Sequence, residues 1–263
     1  QDTGSELLIV STGKNLTAEE ELELISQEIE QDTQAVILQP MPGADFAQKL
    51  KKLEKKIPIM LVKDTISQNL PAATLPVTQP DQEAMGRALA EQLLEDYNHN
   101  LSGKTIGILL EAEAFPALAS RMKGLKDTLK DTGAVFSWTA SLSLEETKQS
   151  SLKHKKQTDL VLALDNHSLT AAAECAAAND LHGALVYGIG NSTEAIYFLD
   201  NRIVECLIVP DEFSMGYQSL KELAEHCGKR FHNMQSVKVT YYVFRQETLY
   251  SEKNQEILFT MSQ

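Results

Sequence analysis

The residues of this chain best placed to do chemistry form the short polar tip Asp165-Asn166-His167-Ser168. It lies between the unbroken apolar run Leu160-Val161-Leu162-Ala163-Leu164 and an alanine-rich stretch with helical spacing. A run of that kind marks a strand buried on both faces, and in open parallel sheets ligands bind just beyond the carboxyl ends of such strands. The tip is therefore the first candidate for a binding site. A structural reading competes with it: Asn166 or Ser168 as the cap of the following helix accounts for one polar residue and leaves Asp165 without a purpose. Signatures of catalysis are missing. The six histidines show no H-E-x-x-H or similar ligand spacing, so no metal site is expected. His226 beside Cys227 falls in a helix pattern, where it reads as a positive charge near the carboxyl end. There is no G-x-S-x-G and no phosphate loop, and Gly188-Ile189-Gly190 lacks the third glycine of a dinucleotide-binding turn. The expectation is a binding protein with no cofactor, not an enzyme.

At 263 residues, 43% of them hydrophobic, the chain can bury a large core as one big domain or two smaller ones. The net charge of −13 argues against nucleic acid as a partner, because that affinity is built from clustered Lys and Arg. Cys175, Cys206 and Cys227 are odd in number and fall in two helix patterns and a strand pattern, which implies no disulfide framework. No apolar run approaches the roughly 20 residues of a membrane span, and no signal sequence opens the chain. The strand-like Leu7-Leu8-Ile9-Val10 follows Gln1–Glu6 so abruptly that residues upstream of Gln1 are expected.

Strand and helix patterns alternate throughout. Leu7–Val10 reads as a buried strand, and Thr17-Ala18-Glu19-Glu20 has capping-box spacing ahead of a helix with Leu22, Ile25 and Ile29 on one face. Ala35–Leu38 is a strand, Phe46, Leu50 and Leu53 make a helical stripe, and Ile57–Val62 is a strand again. Ala72–Val77 is a weaker strand, and Asp81 opens a helix carrying Met85, Leu89 and Leu93. Asn98–Gly103 is a polar break of the sort that separates lobes. Beyond it come a strand at Thr105–Leu110, a helix with Leu118, Met122, Leu125 and Leu129 that stops at Gly133, and a strand at Val135–Thr139. A second capping box lies at Ser143-Leu144-Glu145-Glu146. After the opening stretch, Leu185–Ile189, a short helix at Ser192–Leu199 and Ile203–Val209 continue the series. Tyr217, Leu220, Leu223 and Cys227 line a helix, Val237–Phe244 alternates like one strand, and a short helix covers Ser251–Leu258. Such alternation implies parallel sheets with right-handed crossovers. Two series imply two Rossmann-like α/β lobes: residues 1–101 with about 210–235, and residues 102–209 with about 236–263.

In order and spacing, several segments resemble the type I periplasmic sugar-binding proteins, the ribose- and galactose-binding group, whose fold is shared with effector domains of the lactose-repressor family. The segments are GSELLIVSTG, AVILQP, IPIMLV, the Asp81 helix start with Gly86, the Arg121-x-x-Gly124 pair, ALDNHSLTAA, VYGIGN and ETLYSEKNQEILF. The family usually begins with a strand and helix ahead of GSELLIVSTG, so the resemblance implies that this first unit of the amino-terminal lobe is absent from the chain. It also implies ligand contacts. Arg121 matches a ligand-gripping arginine and Asp165 an Asn/Asp at a strand tip, a fork of donors and an acceptor that suit a polyol. Three positions depart from the family: Lys63 stands where an aspartate is usual, with Asp64 next; Gly190 replaces an aspartate, with Asn191 next; and Pro210 replaces a glutamine, with Asp211 next. Lys63 with Arg121 suits an anionic sugar derivative, and an internal pair of Lys63 with Asp64 or Asp165 uses the same charge equally well. Phe115 is the favoured aromatic platform. Trp138, in a strand pattern, reads as core, and Phe213 either lines the cleft or staples a helix.

The resemblance thus implies a ligand site at Lys63, Asp64, Phe115, Arg121, Asp165, Asn191 and Asp211. Closure would run through hinges at Asn100–Lys104, near Val209–Asp211 and at His232–Val237. The expected role is an extracellular or periplasmic solute-binding protein, a bacterial lipoprotein anchored through a segment outside this chain, that passes a sugar, sugar acid or related ligand to the permease of an ABC importer. The alternative is the ligand-sensing domain of a membrane sensor or of a lactose-repressor-type regulator.

Overall fold

Apolar runs and capping residues set the elements in the computed structural model, which describes residues 6–10, 17–39, 44–62, 75–111, 116–142, 152, 155–229 and 232–260. By its internal contacts the chain divides into two units: Gln1–Pro80 with Glu212–Val239, and Asp81–Asp211 with Thr240–Gln263.

In the first unit, α1 (Ala18–Glu30) starts at the capping box read from the sequence. Thr17 accepts from the Glu20 N–H, and the Glu20 carboxylate reaches back to the Thr17 N–H at 2.7 Å. The sheet has the order β1 (Val36–Leu38), β2 (Ile59–Val62), β3 (Val77–Pro80) and β9 (Val237–Val239), with every pairing parallel. Its core joins Ile25 of α1 to Phe46 and Leu50 of α2 (Ala44–Leu53) and to Ile59 and Leu61 of β2. A third helix, α7 (Glu212–Gly228), packs against β2, β3 and β9. It buries Met215, Ser219 and Leu223 at four-residue spacing, whereas Tyr217 is 51% exposed and Cys227 is exposed. The sequence stripe through Tyr217, Leu220 and Cys227 was thus set partly on the wrong face, with the hydroxyl of Ser219 hidden in the core by bonding the Met215 carbonyl at 2.8 Å.

Leu7–Val10, expected as a buried strand, is not in a sheet: these four residues are 48–79% exposed. A two-faced strand needs a neighbour to pair with, and none of the described strands takes these residues. Val77 belongs to β3, and residues 72–74 of the strand expected there lie outside the described residues, as does the Ser143 capping box.

The second unit is built on a six-stranded sheet in the order β10 (Tyr241–Phe244), β8 (Val204–Pro210), β7 (Leu185–Ile189), β6 (Leu160–Ala163), β4 (Thr105–Leu110) and β5 (Val135–Ser141). All pairs are parallel except β10 with β8, which is antiparallel. The single strand expected over Val237–Phe244 is therefore two, β9 parallel in one sheet and β10 antiparallel in the other, with Thr240 between them. The continuous apolar runs reflect burial on both sides: Leu160 and Leu162 enter one core with Ile106, Ile108, Tyr187 and Ile208, and Val161 and Ala163 enter another with Leu109, Val186 and Leu207. The first core is covered by α3 (Gln82–Asp96) and α4 (Pro116–Leu129). The other is covered by α5 (Asn166–Ala177) and α6 (Thr193–Asp200), and α8 (Glu252–Thr260) closes the chain.

The boundary expected at about residue 101 falls instead after Pro80, and the one at about 210–235 becomes Glu212–Val239. Its reason is α3. Capped by Asp81, which accepts from the Ala84 N–H at 3.1 Å, this helix lies along α4 and under β7 and β8. Asp96 at its end accepts from the Tyr187 hydroxyl at 2.7 Å and pairs with Arg245 beyond β10 at 3.0 Å. Asn98–Gly103, with the hinge expected at Asn100–Lys104, is a turn inside this unit that uses left-handed backbone at Asn98, His99 and Gly103. The α3–α4 crossing is backbone against backbone. A Cβ on Gly86 would lie 2.0 Å from the Arg121 carbonyl oxygen, and one on Gly124 would lie 2.0 Å from the Glu83 carbonyl oxygen. Gly86→Ala should therefore lower the unfolding free energy by about 1–3 kcal/mol in urea titration, since helices must part to admit the methyl group; a change under about 0.5 kcal/mol would contradict this crossing.

Candidate functional site

The carboxyl edge of the six-stranded sheet gathers four of the residues chosen from the sequence. Asp165 follows β6, Asn191 follows β7 and Asp211 follows β8, three neighbouring strands spaced about 4.8 Å apart. Arg121 reaches the same edge from α4. Lys63, Asp64 and Phe115 lie outside the described residues.

Arg121 is held by what surrounds the α3–α4 crossing. Its Nε donates to Gln82 Oε1 at 2.8 Å and its Nη1 to the Leu164 carbonyl oxygen at 2.5 Å. Burial lowers its pKa to about 10, and the negative charge of Asp165 works in the opposite direction, so the guanidinium is charged at neutral pH. Its donors thus tie the start of α3, through Gln82, to the end of β6, through Leu164.

Asp165 has the purpose that the sequence reading could not find: it is itself the cap of α5. Its backbone is extended, its Oδ1 accepts from the Ser168 N–H at 2.8 Å, and its Oδ2 accepts from the Ser168 hydroxyl at 2.9 Å and from the Glu111 N–H at 2.8 Å. Asn166, offered as a cap, instead ties the next loop. Its Oδ1 accepts from the N–H groups of Asn191 at 2.8 Å and Ser192 at 3.1 Å, and its Nδ2 donates to Asn191 Oδ1 at 2.8 Å. This clasp explains Gly190, where the family resemblance implies an aspartate: a Cβ there would lie 2.5 Å from Asn166 Oδ1. Asp211 is only 3% exposed and accepts from the Tyr242 hydroxyl at 2.9 Å. Burial and then the bond to Asp211 raise the Tyr242 pKa.

Glu111 is absent from the sequence expectations, and His167 enters them only as part of the polar tip. Glu111 stands directly past β4, beside Asp165 in the β4–β6 register. Burial and then the charge of Asp165 raise its pKa, and His167 pulls it down. His167 lies in the first turn of α5 with its Nε2 buried. The carboxyl-end rule that picked Asp165 applies equally to Glu111, which follows its own apolar run, but the rule was not carried to that strand. Trp138, read as core, is half-buried: it packs at the margin of a core cluster, and its Nε1 donates to the Lys156 carbonyl at 2.8 Å. Phe213 is 59% exposed and stacks on Tyr217 at 6.5 Å. Among the described residues no three His, Cys, Asp or Glu side chains are grouped to hold a metal ion, and no helix is long and apolar enough to cross a membrane.

With this geometry in view, the comparisons place the chain. The profile of a periplasmic binding protein domain matches residues 1–230, and the chain belongs to that family. None of the curated proteins compared with it matches. Solved structures of the same fold include a galactofuranose binding protein, with TM-score 0.77 and 12% identity over 95% of this chain and 86% of that one. The binding component of the arabinose ABC transporter from Shewanella sp. ANA-3 gives 0.76 and 15% over 93% and 84%. A glucose-galactose binding protein from Geobacillus stearothermophilus gives 0.72 and 16% over 89% and 84%. Their fold is that of the type I periplasmic binding proteins, as the sequence segments implied.

Removing the Asp165 carboxylate takes away the α5 cap and strands the Glu111 N–H. Asp165→Ala should lower the unfolding free energy by about 1–2 kcal/mol and Asp165→Asn by less, measured by urea denaturation. Equal stability of Asp165→Ala and the parent would show that these bonds are not made.

Proposed function

We propose that the chain is a solute-binding protein that captures a small polar ligand, a sugar or sugar derivative, outside the cytoplasm and delivers it to the permease of an ABC importer. The observation that carries this reading is the family match over residues 1–230. The polar carboxyl edge supports it, because Arg121, Asp165, Asn191 and Asp211 supply hydrogen-bonding groups where open α/β sheets receive ligands. Similar folds described as binding glucose and galactose, arabinose and galactofuranose point to the same ligand class. Lys63, Asp64 and Phe115 complete the proposed contacts from the family resemblance. Capture by such a protein needs no bond making: the ligand biases a conformational equilibrium by binding one state more tightly.

A thermal-shift panel of neutral sugars, sugar acids and phosphorylated sugars tests the reading. A bound compound at 100 times its Kd should stabilise the folded state by about 2.7 kcal/mol and raise the melting temperature accordingly. No shift with any member, together with turnover of a simple glycoside, would replace the binding protein with a hydrolase.

A further inference from the structure

The side chains chosen from the sequence are engaged in holding the carboxyl edge together, and two other groups at that edge are placed differently. Glu111 gives its backbone N–H to Asp165, at 2.8 Å, so its position beside the β6 tip is fixed, and the residue is half-buried there. Its carboxyl group is in an unfavourable setting: burial and the charge of Asp165 both raise its pKa, against the pull of His167. His167, two residues past Asp165, keeps its Nε2 buried and, among the described residues, without a hydrogen-bond partner. Folded proteins retain few such atoms, because an unpaired buried polar nitrogen loses its water and gains nothing in return. A ligand hydroxyl at this edge would satisfy it.

We propose that Glu111 and His167 form a ligand-contacting pair that recognises neighbouring hydroxyl groups of an uncharged sugar or polyol, and that Glu111 selects against sugar acids and phosphorylated sugars. The inference rests on the sugar-binding reading above and adds to it two residues and a charge preference. A carboxylate accepts from one hydroxyl, and an imidazole nitrogen donates to or accepts from the next, a complement that adjacent hydroxyls present and an isolated anion does not. Charge works in the same direction. Glu111, Asp165 and Asp211 end strands β4, β6 and β8 with three carboxyl groups, and Arg121, bound to Leu164 and Gln82, is the cation among the edge residues described here. An anionic ligand brought to Glu111 meets like charge in a partly desolvated place.

Isothermal titration calorimetry on the parent, Glu111→Gln and His167→Gln tests this with D-galactose, L-arabinose, myo-inositol, D-galacturonate and phosphorylated glucose, with melting curves of the ligand-free proteins alongside. The parent should bind at least one of the neutral compounds more tightly than either anion, and each variant should bind that compound about 10-fold or more weakly. Glu111→Gln should also narrow the gap between D-galactose and D-galacturonate. Its ligand-free melting temperature at neutral pH should stay level or rise: the folded protein holds the Glu111 proton above the ordinary value of 4.5, so stability contributed by this position falls as pH rises through its titration, and Gln removes that loss. The parent's affinity for the neutral compound should weaken on acidification as Glu111 takes its proton, facing Asp165 and His167, and the Gln variant should lack this pH dependence. If His167→Gln does not fold, His167→Asn takes its place. Unchanged neutral-sugar affinity in either variant, or tighter binding of an anion by the parent, overturns the inference and leaves the sugar-binding reading standing. Absence of heat with all five compounds overturns both.

Discussion

The second unit depends on the closeness of α3 and α4 at Gly86 and Gly124. Where a side chain would hold the helices apart, hydrogen atoms let each backbone rest on the other, on the carbonyl of Arg121 at one point and of Glu83 at the other. That approach sets Arg121 beside Gln82 and delivers its guanidinium to the Leu164 carbonyl at the end of β6. From there the order passes along the edge. Asp165 caps α5 and takes the Glu111 N–H from β4, and Asn166 clasps the loop after β7. Six elements, α3, α4, α5, β4, β6 and β7, are thus joined at the strand ends by side chains whose hydrogen bonds are made inside one unit.

Such an edge is held by hydrogen bonds of the chain's own. A guanidinium bonded through both Nε and Nη1 has little freedom to turn, and neither has a carboxylate that receives three donors. Both facts reduce the ordering that binding would otherwise require, which is where affinity is commonly lost. They also divide the labour: residues with the most bonds fix the geometry, and the buried Nε2 of His167 has no hydrogen-bond partner among the described residues. Holding a polar group in that condition lowers stability.

Much of this was legible in the chain. Thr17 and Asp81 were read as helix starts, and both cap helices; the two-sided burial of Leu160–Leu164 followed from an apolar run without alternation. The glycines of the Asp81 helix and the Arg121-x-x-Gly124 pair were read as family marks, and their physical reason is the helix crossing. Other features need coordinates. Asp165, Asn166 and Ser168 are all good capping residues, so propensity cannot choose among them; the extended backbone at Asp165 does. Asn98–Gly103 looks the same in sequence whether it parts two units or turns a corner within one, and the long-range packing of α3 decides it. The alternation of Val237–Phe244 does not reveal that Thr240 divides it between two sheets. Leu7–Val10 has the composition of a buried strand and no described neighbour to pair with.

Amide hydrogen exchange at Glu111 and Ser168 in the ligand-free protein tests the prebuilt edge most directly. Both N–H groups donate to Asp165, so they should exchange far more slowly than open-loop amides and should lose that protection together in Asp165→Ala. Exchange of both at the rate of unprotected amides, with the sheet amides still slow, would mean that the edge forms only around its ligand.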